Sequence, residues 1–188
     1  MYSLYNDIAS IAKEVLEHKN YCFIAIDGAL CSGKSSLAAD LKKRLDATVI
    51  STADFYLPIE KRSEERMSEA GGIFDYERFI EEVCNHRHEE SFLHQPYDQL
   101  NLQFGKENTI VKKPIVIVEG TYSLHPQVKD LYDLNIFLKI SNELQIARIR
   151  ECKSDNYKTC INYIVPLEKE YFTNCDIENI ADIVIETY

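Results

Sequence analysis

Gly28-Ala29-Leu30-Cys31-Ser32-Gly33-Lys34-Ser35 reads G-x-x-x-x-G-K-S, a spacing whose chemistry is the holding of phosphate. A phosphate chain carries several negative charges that water solvates well, so a protein must replace that water with many donors at short range. A loop that feeds a helix start offers successive backbone N–H groups and the positive end of the helix dipole. Gly28 and Gly33 let the backbone turn and approach with no Cβ in the way. Lys34 has the reach to meet the outer phosphates, and the Ser35 hydroxyl suits Mg²⁺. Gly28, Ala29, Leu30, Cys31, Ser32, Gly33, Lys34, Ser35 and the adjoining Ser36 therefore form the candidate nucleotide-binding set.

Two acids stand at the ends of apolar runs. Ile115-Val116-Ile117-Val118 ends in Glu119-Gly120. Four β-branched residues in a row suit a central parallel strand buried on both faces, where a carboxylate is costly without a partner. Glu119 is either a Mg²⁺-linked acid beside the phosphate loop or a cap on the turn that follows. Asp54 follows the run Ala47–Ser51, and Pro58 prevents that ladder from continuing. In open α/β sheets such strand ends carry ligands. His86, His88 and His94 are interleaved with Glu89 and Glu90 and include no i, i+4 pair, so they read as surface histidines before they read as a metal site.

The elements that must position these groups alternate in period. Tyr21–Ile26 is an apolar strand pattern. Leu37, Ala38, Leu41 and Leu45 mark one face of a helix after the loop. Residues 3–17 repeat apolar side chains at helical spacing, and residues 60–70, dense in charge and followed by Gly71-Gly72, read as a mobile, solvated connection. Asp75 is placed to cap a helix carrying Phe79, Ile80 and Val83. Residues 95–98 and 109–111 suit a hairpin turning through Gly105. Strand patterns return at 134–140 and 181–186, with helices at 142–152 and at 156–172, the latter broken near Pro166. Strands alternating with helices predict an α/β fold with a parallel sheet and helices on both faces.

A chain of 188 residues has the length of one domain, with or without an appended lid. Its net charge of −10 and pI near 5.0 argue against nucleic acid or an acidic membrane as partner. Six cysteines without C-x-x-C spacing read as reduced thiols of a cytoplasmic protein. The N-terminus has no signal-peptide pattern, and no apolar run reaches the length of a membrane span.

Taken in order, Ile26-Asp27-Gly28 through Ser36, Asp54-Phe55-Tyr56-Leu57-Pro58, Phe74-Asp75, Pro96-Tyr97-Asp98, Val118-Glu119-Gly120-Thr121-Tyr122, Tyr132-Asp133-Leu134, the helix of Arg148, and Pro166-Leu167-Glu168 resemble the P-loop small-molecule kinases. The resemblance is to the uridine kinase and phosphoribulokinase group, and within it to the compact bacterial uridine kinase-like proteins. It implies a three-layer α/β/α P-loop kinase fold with a five-stranded, mostly parallel sheet and a helical lid. It also implies a single domain over residues 1–188, with a substrate-binding insertion at about 55–112 and the lid at about 141–173.

The activity it implies is ATP- and Mg²⁺-dependent transfer of a phosphoryl group to a hydroxyl, in relatives the 5′-OH of uridine or cytidine. Lys34, Asp54 and Arg148 would be catalytic, with Asp54 taking the hydroxyl proton. Asp54, Tyr56, Phe74, Asp75, Tyr97 and Arg148 would meet the substrate, and Ser35 and Glu119 the metal. Three positions depart from the pattern. Ala53 stands where relatives carry the catalytic aspartate, Leu102 where nucleoside kinases place a histidine, and Cys152 where a second lid arginine is usual. The expected partners are ATP and a small hydroxylated metabolite, with homo-oligomerisation open. A kinase of another small alcohol, such as pantothenate or a sugar, and a nucleotide-binding protein with little transferase activity are the alternatives.

Overall fold

Alternation of large apolar side chains builds both faces of a central sheet in the computed structural model, which describes residues 2–99 and 101–188. Helix α1 (Tyr2–His18) leads into strand β1 (Cys22–Gly28), and helix α2 (Lys34–Leu45) follows the phosphate loop. Strand β2 (Thr48–Ser51) comes next, then the short helices α3 (Glu64–Met67) and α4 (Tyr76–Phe79). Four short strands occupy the middle of the chain: β3 (Ser91–His94), β4 (Tyr97–Asp98), β5 (Gln103–Phe104) and β6 (Asn108–Val111). Strands β7 (Ile115–Glu119) and β8 (Leu134–Ile140) precede helices α5 (Asn142–Cys152), α6 (Tyr157–Thr159), α7 (Val165–Asn174) and α8 (Ile177–Ile180), and β9 (Ile183–Thr187) completes the set.

The main sheet has five strands in the order β2-β7-β1-β8-β9, and every neighbouring pair is parallel. Successive side chains of a strand point to opposite faces. Cys22, Ile24 and Ile26 of β1 join Ile115 and Ile117 of β7 beneath Ile8 and Ala12 of α1 and Leu37, Ala38 and Leu41 of α2. Phe23 and Ala25 turn the other way, with Val116, Val118 and Phe137, to meet Phe55, Phe74, Phe79 and Tyr171. A third, smaller cluster sets Ile149 of α5, Cys160, and Val165 of α7 against Leu30 and Cys31 of the phosphate loop. Pro166 stands in the first turn of α7 after a π-helical turn at Cys160–Ile164, where its missing N–H costs the helix little. Among the described residues no helix is long and apolar enough to cross a membrane.

Three expectations need correction. The hairpin does not run from 95–98 to 109–111: β3 pairs antiparallel with β6, and β4 pairs with β5 through Tyr97 opposite Phe104. The period-2 signal was sound, but two nested turns share it. Residues 60–70 are more than a solvated connection. The Arg66 guanidinium lies 4.0 Å from the Tyr76 ring centre and donates to the carbonyls of Gly72 (3.0 Å) and Phe74 (2.9 Å). His94 is buried rather than on the surface, because its two ring nitrogens face carboxylates of Asp54 (3.2 Å) and Glu82 (3.1 Å).

Candidate active site

Parallel register brings the carboxyl ends of β1, β2 and β7 into line. Glu119 lies opposite both Ile26 and Ser51, so its side chain stands beside the loop that leaves β1. Gly28 has φ 149°, and a Cβ there would come within 2.5 Å of the Leu138 carbonyl oxygen of β8. Close strand packing, as well as the turn, therefore demands glycine. Gly33, at φ 104°, is the residue from which α2 starts. Cys31 also takes a left-handed conformation, at φ 62°; for a side chain of this size such strain concentrates at binding loops.

Lys34 is buried, and its ammonium donates to the carbonyls of Gly28 and Ala29, each at 2.8 Å. Burial lowers its pKa, and the carboxylates of Glu168, Asp27 and Glu119 work against that. The Ser35 hydroxyl donates to Glu119 Oε2 at 3.1 Å. A hydroxyl and a carboxylate side by side are hard oxygen donors of the kind Mg²⁺ takes, so these residues fit that ion. Arg148 reaches from α5 to the Cys31 carbonyl at 3.2 Å. Lys34, Ser35, Ser36, Glu119 and Arg148 all line one cavity of about 550 Å³, within the size range of small-molecule sites.

The other expected site residues divide. Tyr56 lines this cavity, and burial, with Glu168 adding to it, pushes its hydroxyl up to about 12. Ala53 lines it too, whereas Asp54 does not. The Asp54 carboxylate is bonded to His94, and Arg78 donates to the Asp54 carbonyl at 2.6 Å. Burial draws the His94 pKa down, but the bonds to Asp54 and Glu82 outweigh it and the net shift is upward. Phe74, Asp75 and Tyr97 are 1%, 0% and 3% exposed and are not brought to the cavity. Phe74 packs on Phe79, Asp75 caps α4 and pairs with Lys61 and Arg78, and Tyr97 meets Phe104 edge-on. Apolar contact and helix capping claim these side chains first.

Two carboxylates that the local pattern did not mark prove central. Glu168 of α7 is buried against the phosphate loop. Its oxygens accept from the Leu30 N–H (2.9 and 3.0 Å), the Thr121 hydroxyl (2.9 Å) and the Gln145 amide (3.2 Å). Burial raises its pKa; the Leu30 N–H, Lys34, Thr121 and Gln145 oppose that. Asp27, the one acid within β1, accepts from the N–H groups of Gly28 (2.6 Å) and Leu124 (2.9 Å) and from the Tyr171 hydroxyl (2.8 Å). Complete burial pushes it up to about 6 despite those donors. A charge inside an apolar strand was the available signal for Asp27. For Glu168 no local signal existed, since its loop partner is 138 residues away.

Residues 23–185 match the model of the phosphoribulokinase/uridine kinase family. The chain belongs to that family. Solved structures with the same fold include a possible uridine kinase from Bacillus stearothermophilus, with TM-score 0.66 and 17% identity over 97% of this chain and 99% of that one. YFH7 from Saccharomyces cerevisiae has TM-score 0.65 and 13% identity over 100% and 99% of the two chains. Phosphoribulokinase from Rhodobacter spheroides has TM-score 0.59 and 12% identity over 89% and 70%. At these identities the structural likeness concerns the fold. No curated protein matches the chain. Family and fold together make this a P-loop kinase, a phosphotransferase by class.

Proposed function

We propose that this chain uses ATP and Mg²⁺ to phosphorylate a hydroxyl of a small molecule, a nucleoside such as uridine or cytidine being the first candidate. The observation that carries the reading is the convergence of the loop, Lys34, the Ser35–Glu119 pair and Arg148 on one cavity. Phosphoryl transfer asks for alignment and charge neutralisation more than for covalent help. Loop N–H groups bind the phosphates, and Lys34 and Arg148 stand against the charge that develops on the transferred group. Mg²⁺ held by Ser35 and Glu119 would add a further positive charge there. Tyr56 and Ala53 form the acceptor side, and the lid helices packed on Leu30 and Cys31 limit water. The six free cysteines suit a reducing compartment, so the proposed setting is cytoplasmic.

A second reading, nucleotide binding with little transfer, is favoured by one feature. At the end of β2 the cavity is lined by Ser51, Thr52 and Ala53, none of them an acid, and the nearby Asp54 carboxylate is engaged by His94. Purified protein with Mg-ATP, screened against uridine, cytidine, pantothenate and sugars for ADP release, separates the two. Acceptor-dependent ADP in the wild type, abolished in a folded Lys34→Ala variant, is the expected result. Failure of Mg-ATP to bind at millimolar concentration overturns both readings.

A further inference from the structure

Helix α5 carries Arg148 and Arg150, ends at Cys152 and is followed by Lys153. At about 100° per residue, Arg150 lies roughly 200° around the helix from Arg148. Its guanidinium accordingly sits 5.5 Å from the centre of the Tyr157 ring and contributes nothing to the cavity lining. Cys152, four residues after Arg148, shares its face and does line the cavity, but brings no positive charge.

Lys153 lines the cavity as well. A continuing helix would carry it about 140° away from Arg148. The helix ends instead: Lys153 has φ −133° and ψ 35°, with its N–H still donating to the Ile149 carbonyl at 2.9 Å. That unwound residue turns the side chain back over the loop. Burial and Cys152 raise the pKa of the Cys31 thiol, while Lys153 is near enough to pull it down. Among the described residues the Lys153 ammonium has no hydrogen bond or ion pair. A lysine at a helix C-terminus is favoured by the dipole alone. The dipole does not require that its charge stand over a phosphate loop with every donor free.

We propose that Lys153 is the second lid cation of this enzyme and meets the terminal phosphate of a bound nucleoside triphosphate. The inference rests on the nucleotide-binding reading above. It gives Lys153 the task that neither Arg150, turned outward, nor Cys152, uncharged, can perform.

The test is a pair of titrations, with fluorescent N-methylanthraniloyl ATP and ADP in the presence of Mg²⁺. They use the wild type and the variants Lys153→Ala, Lys153→Arg and Arg150→Ala. A charge-assisted contact to the last phosphate alone predicts that Lys153→Ala weakens the triphosphate by about tenfold and the diphosphate by less than about twofold. Lys153→Arg should restore triphosphate binding, and Arg150→Ala should change neither. Equal losses for both nucleotides, or no loss, overturn the assignment while leaving the nucleotide site standing. A wild type that binds neither nucleotide overturns the site and Lys153 together.

Discussion

Replacing Glu168 by alanine should loosen the phosphate loop by an amount the hydrogen bonds let one work out. The carboxylate is the acceptor for the half-buried Leu30 N–H. An orphaned buried donor costs about 1–3 kcal/mol. The other two partners keep alternatives: the Thr121 hydroxyl also reaches the Gly28 carbonyl at 3.0 Å, and the Gln145 amide reaches the Leu30 carbonyl at 3.3 Å. Lost packing of the side-chain stem adds to the cost, and relief from holding a carboxylate out of water subtracts from it. The net expectation is about 2 kcal/mol, which in a chain of this size lowers the melting midpoint by about 4–8 °C. Glu168→Gln keeps an oxygen for Leu30 but turns an NH₂ group toward the Gln145 donor, so it should lose about 1 kcal/mol. Urea denaturation and thermal melts at pH 7 measure both. An alanine variant within about 0.5 kcal/mol of wild type would refute the reasoning, since surface changes produce shifts of that size.

Other outcomes follow from the same geometry. Asp54→Asn should lower acceptor-dependent turnover by less than about threefold, because the carboxylate faces His94 and the cavity meets Ala53. A loss above about a hundredfold would make Asp54 the proton acceptor after all. Asp27 sets a pH dependence. Its folded-state pKa, about 6, lies above the ordinary 3.8, so its protonation stabilises the fold below about pH 4. That contribution, about 3 kcal/mol, is lost as pH rises through 6. The difference in unfolding free energy between wild type and Asp27→Asn should therefore fall from pH 4 to pH 6 and level off above 7. A difference that rises over that range is incompatible with the burial argument.

Much of the fold was legible because its signals are local. The strand at 22–28, the loop, the helix at 34–45 and the strands at 115–119 and 134–140 each announce themselves through side-chain period and turn residues within a short window. The helix over 142–152 was readable to the residue. Elsewhere, roles that look alike in one dimension compete for the same side chain. Asp75 and Phe74 carry types suited to a substrate pocket, yet capping and aromatic packing bury them. His94 sits among surface-like neighbours in the chain, yet its partners come from the 3-10 turn after β2 and from the π-helical segment after α4.

Nine consecutive residues, Gly28–Ser36, determined by themselves that this protein carries a phosphate-binding loop. The needed amides, the glycines that permit the bend, and the lysine are all supplied within one stretch of backbone. Only the tertiary structure decided what surrounds that loop. Glu168 on the Leu30 amide and Arg148 on the Cys31 carbonyl are products of strand register and helix packing. Contacts between residues a hundred positions apart leave no periodic trace in the chain, because they are set by how whole elements bury their apolar faces.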